Sequence, residues 1–143
     1  MLSSPAKVIG RKVEYLIAIV INLIMLVFFN LLPNFHFRFI TEHFNDCLWI
    51  LNISILATIL ANIAFFVFDP KWFVSFIHIF LNSISIIFLF VFIKVFPFDF
   101  NYINVSINQI LKICFILGIF GTSIAIIVEF VKFITGFIHL EDL

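Results

Sequence analysis

Four long runs of apolar residues, separated by three short polar clusters, dominate the chain. They cover about residues 13–32, 47–68, 73–96 and 109–134. Each is close to the ~20 residues that carry an α-helix across ~30 Å of hydrocarbon. In lipid the backbone must satisfy its own N–H and C=O groups, and no run shows the strict two-residue alternation of a barrel strand. The expected fold is therefore an all-α integral membrane protein, with four transmembrane helices in an antiparallel up-down bundle. The whole chain, residues 1–143, forms a single transmembrane domain on this reading.

The breaks between runs differ in kind. "DPKW" at 69–72 is so short that spans two and three must form a tight hairpin. Asp69 suits a helix N-cap, Pro70 the first helical position and Trp72 the interfacial belt. The other two connections, about 33–46 and 97–108, contain "NFHFRF" and "FPFDFNY". There Phe alternates with polar residues, which predicts short segments lying in the membrane interface with rings inward. An extended edge strand is the other conformation that this alternation allows.

Wound at ~100° per residue, every span carries one small or polar stripe. Span one aligns Glu14, Ala18 and Asn22, and span two Ser54, Ala57, Thr58, Ala61 and Asn62. Span three aligns Ser75, His78, Asn82 and Ser85. In span four the stripe includes Cys114, Gly118, Gly121, Thr122, Ala125 and Glu129. Small residues let helix backbones approach, and amide or hydroxyl groups bond across the gap, so these stripes predict seams facing the bundle interior. Gly118, Gly121, Thr122 and Ala125 form the expected packing seam of span four. Ionisable groups within a membrane are costly and mark cavities or partners. His78, Asn82, Asn62, Asn22, Glu129 and Glu14 are accordingly the candidate intramembrane polar site. Of these, Glu14, Asn62, His78 and Glu129 are expected to line a vestibule at one end. The blander alternative is packing glue, with Glu129 paired on the surface to Lys132 three residues on.

Composition agrees with membrane embedding: 64% of residues are hydrophobic, 11% are charged, and mean hydropathy is +1.28. Net charge is zero, which gives no electrostatic ground for a nucleic-acid partner. Lys7, Arg11, Lys12, Lys71 and Lys132 fall on one side of the expected topology, and Arg38, Lys94 and Lys112 on the other. By the positive-inside rule both termini are cytoplasmic, and a prokaryotic cytoplasmic membrane is the expected location. The first run is too long for a cleaved signal sequence and is expected to be retained.

Reactive chemistry is sparse. His36, His43, His78 and His139 are dispersed, so no metal site is expected. No nucleophile–base arrangement or cofactor motif occurs, and neither catalytic residues nor a cofactor are expected. Cys47 and Cys114 lie at different expected depths, which favours free thiols. The favoured function is a non-enzymatic accessory or structural membrane component. Its expected partners are the lipid bilayer and either further copies of itself or a larger membrane protein. The alternative is a small oligomeric transporter or channel, with Asn22, Asn62, His78 and Asn82 lining its pathway.

Overall fold

The computed structural model describes residues 5–141. Helix α1 spans Pro5–Leu31, α2 Phe44–Val67, α3 Lys71–Val95 and α4 Val105–Glu141, and a 3-10 turn at Leu32–Phe35 follows α1. All four helices are long and apolar enough to cross a membrane. The first begins at Pro5, earlier than its apolar run, because Lys7, Arg11 and Lys12 are good helix formers with water-soluble ends.

Prolines set the helix ends. Pro33 lacks an N–H and disfavours helical geometry before it, so α1 tightens into the 3-10 turn. His36 then takes a left-handed conformation (φ 49°) and its N–H closes on the Pro33 carbonyl. At the end of α3, Phe96 precedes Pro97 and is likewise left-handed (φ 42°). That geometry costs about 1–3 kcal/mol for a residue with a Cβ. Its ring is held by Phe98 on one side and by the Lys112 ammonium, 4.6 Å from the centroid, on the other.

Asp69 does not cap α3. Pro70 occupies the N-cap with no side-chain hydrogen bond, and the Asp69 carboxylate lies 3.1 Å from the Arg11 guanidinium instead.

Helix α2 is the core. Of its most apolar stretch 39% is buried, against 6%, 6% and 0% for α1, α3 and α4. Leu51, Ile55 and Ile59 pack with Leu32 and Phe44, covered by Ile19, Leu26 and Phe29 of α1 and Phe88 of α3. Cys47 and Ile50 pack with Phe92, covered by Val91, Val95 and Phe115. Helix α1 packs on α2, α2 on α3, and α3 on α4, but among the described residues no comparable packing joins α4 back to α1. The bundle is thus open along its α1/α4 side. Large side chains such as Val20, Ile24, Val27, Leu117, Phe120, Ile124 and Ile127 are exposed along these two helices.

The two longer connections are joined to each other. Ile40 and Phe98 form an antiparallel β-bridge, with Thr41 N–H donating to the Pro97 carbonyl and Asp99 N–H to the Phe39 carbonyl. The 3-10 turn, the left-handed His36 and the Phe37–Ile40 turn bring the Phe rings of the first connection against those of the second. Phe35, Phe37, Phe39, Phe100 and Phe98 then form a continuous row, with centroid spacings of 5.9, 5.5, 5.4 and 6.5 Å. Arg38, of the opposite parity, lies 4.7 Å from the Tyr102 ring centroid. Within these two connections the described β-pairing is this single bridge.

Candidate functional site

The polar chemistry collects at the end of the bundle where α1 starts, α3 starts and α4 finishes. Arg11 and Tyr15 are one turn apart on α1 and share a face. Arg11 reaches down to Asp69, while Tyr15 rests on the Phe65 ring at 5.6 Å. Phe65, 3% exposed, also meets Phe73 and the edge of the His78 ring, at 6.3 and 5.4 Å. This aromatic hub at the end of α2 orients His78.

His78 Nδ1 lies 4.0 Å from Glu129 Oε1 on α4, beyond direct hydrogen bonding but close enough for attraction when the ring is protonated. Lys132, one turn further along α4, donates to the same oxygen at 2.7 Å. Buried Ser75 of α3 lines the same cavity. Glu129 is the least exposed of the three ionisable side chains, at 14% against 43% for His78 and 58% for Lys132. Gly136 admits α4 close to the start of α3, since a Cβ there would meet the Trp72 backbone at 3.4 Å.

Between α1, α3 and α4 these groups surround a cavity of about 700 Å³. Arg11, Asp69, Lys71, His78, Glu129 and Lys132 supply its polar lining, and Tyr15, Val74 and Ile138 much of the rest. The arrangement presents paired charges around a largely apolar hollow, suited to holding an amphipathic molecule or a charged group.

Of the residues expected at the vestibule, His78 and Glu129 are brought together there. Glu14 is exposed, and neither it nor Asn62 lines the cavity. Asn62 donates to the Thr58 carbonyl and Asn22 to the Ala18 carbonyl, both at 2.8 Å within their own helices. Asn82 shares the α3 face with His78 one turn on, half-buried, and among the described residues makes no side-chain hydrogen bond.

On α4, Gly118 meets Leu89 of α3 and Thr122 donates to the Gly118 carbonyl, with Ala125 half-buried beyond them. Gly121 is exposed and faces open space. Both cysteines are free, Cys47 buried and Cys114 exposed. Among the described residues, no three His, Cys, Asp or Glu side chains gather as metal ligands. The His139 side chain lies outside the described residues.

Sequence reasoning missed Arg11, Tyr15, Asp69 and Lys71 as site residues. The available signal was the i, i+4 spacing of Arg11 and Tyr15, facing the same end of the chain path as Asp69 and Lys71.

No known family, curated protein or solved structure matches this chain.

Proposed function

We propose that the chain is an antiparallel up-down bundle of four transmembrane helices in a prokaryotic cytoplasmic membrane. Both termini and the 69–72 link face the cytoplasm. Its role on this reading is non-enzymatic: an accessory or structural component that packs against further copies of itself or a larger membrane protein.

The observation that carries this reading is how the polar side chains within the apolar helices are used. Asn22, Thr58, Asn62, Ser83, Ser85, Thr122 and Ser123 each donate to a carbonyl four residues back in their own helix. Donors spent this way need no water and line no continuous polar path. The exposed apolar faces of α1 and α4 supply surface for lipid or for another helix.

A second reading, a small transporter or channel, draws on the cavity and on the unbonded Asn82 one turn beyond His78. Changing His78 and Asn82 together to Leu separates the two. On the accessory reading the double variant changes only thermal stability in detergent, and neither it nor the wild type passes solute in liposomes. Flux by the wild type that is lost in a folded double variant establishes the pathway reading instead.

A further inference from the structure

At the cavity mouth a surplus charge coincides with the open side of the bundle. Three cationic side chains, Arg11, Lys71 and Lys132, face two carboxylates, Asp69 and Glu129. Four of these five are matched: Arg11 with Asp69 at 3.1 Å, and Lys132 with Glu129 at 2.7 Å. Lys71, at the first position of α3 and exposed, makes no ion pair among the described residues. The cavity therefore has one free positive charge at its rim. Glu129 lies inside and is matched by Lys132, so the unmatched charge that favours a negatively charged ligand is the one at the rim. The interior is apolar along Tyr15, Val74 and Ile138, and its flank is the gap where α4 fails to close on α1. A ligand seated there has a charged end held at Lys71 and an apolar route into the surrounding lipid.

We propose that this cavity holds the phosphate headgroup of an anionic phospholipid at Lys71, with an acyl chain leaving between α1 and α4. Basic pockets between membrane helices on the cytoplasmic side recognise such headgroups through the same chemistry. The volume of about 700 Å³ is within the range of small-molecule sites. A zwitterionic headgroup brings its own cation to the rim, so its net attraction to Lys71 is weaker than that of an anionic one. The proposal rests on the reading of α1 to α4 as transmembrane helices.

The test uses the full chain, delipidated in mild detergent, with binding of phosphatidylglycerol, phosphatidylcholine and inorganic phosphate followed by native mass spectrometry. Phosphatidylglycerol is expected to be retained over phosphatidylcholine, and inorganic phosphate is expected not to displace it. Lys71→Gln should weaken phosphatidylglycerol binding about fivefold, the effect of one basic group at a membrane surface, and phosphatidylcholine binding by less. Lys71→Arg, which keeps the charge, should bind as the wild type does. Lys94→Gln, at the far end of α3, should change nothing. Equal retention of the two lipids, or equal losses in Lys71→Gln and Lys94→Gln, overturns the site. Displacement by inorganic phosphate assigns the rim to a free anion and overturns the lipid. The membrane reading fails by a separate measurement, release of the chain from membranes by alkaline washing.

Discussion

Asn30 on α1 and Asn52 on α2 exchange side-chain amides: Asn30 donates to the Asn52 carbonyl oxygen at 2.7 Å, and Asn52 returns the bond at 3.1 Å. This reciprocal pair ties the end of α1 to α2. Removing the Asn30 amide leaves Asn52 without this bond, whereas Asn30 keeps its bond to the Leu26 carbonyl at 2.8 Å when Asn52 is removed. Asn30→Leu and Asn52→Leu should each lower the melting temperature in detergent, while the double variant should cost less than the sum. A double-mutant cycle is expected to give a coupling of about 0.6–2 kcal/mol. Additive losses would show that the pair contributes no mutual stabilisation.

Gly118 and Gly121 of α4 should respond differently. A Cβ on Gly118 would stand 3.2 Å from Leu89 Cδ1, whereas one on Gly121 would meet nothing within 4 Å. Gly118→Leu is expected to destabilise the α3/α4 contact by about 1–3 kcal/mol through overpacking. Gly121→Leu should stay within about 0.5 kcal/mol of the wild type. Melting curves of the two variants in one detergent make the comparison.

Removing Lys132 should harm the fold more than neutralising Glu129. Lys132→Met strands a carboxylate that is only 14% exposed, at a cost of about 1–3 kcal/mol. Glu129→Gln keeps a hydrogen-bonding group in place and frees a lysine that is 58% exposed and readily hydrated. Chemical denaturation midpoints should rank wild type, Glu129→Gln, then Lys132→Met. The reverse order would mean that the Glu129 charge itself, rather than its satisfaction, stabilises this end.

Arg11→Ala should have a small, salt-sensitive effect. The Arg11–Asp69 pair is 41% and 27% exposed at its two ends, so a contribution of about 0–1 kcal/mol is expected. The loss should shrink in high salt, and measuring the variant's melting temperature at two ionic strengths decides the point. A loss that salt leaves untouched would mean that Arg11 acts through packing of its stem against the cavity wall.

Hydropathy is a local property, and what depends on it was legible in the chain. Four apolar runs of membrane-crossing length, and the prolines that end α1 and precede α3, determine the helices because each answers to its own few neighbours. The Glu129–Lys132 pair was legible for the same reason, since three residues on a helix set the distance. Stripes on a helical wheel say less: they place Asn22, Asn62 and Gly121 on a face without deciding what that face meets. An amide in a helix can bond its own backbone or a neighbour: Asn22 and Asn62 bond only their own helices, while Asn30 bonds both the Leu26 carbonyl and Asn52.

The tertiary structure alone decided that α2 forms the core, that α4 leaves α1 uncovered, and that Arg11, Lys71, His78 and Glu129 share one cavity. It also decided that residues 40 and 98 pair across the two long connections. These are contacts between groups far apart in the chain. Their energies depend on which helices become neighbours and at what rotation, and no local pattern of apolar and polar residues encodes that.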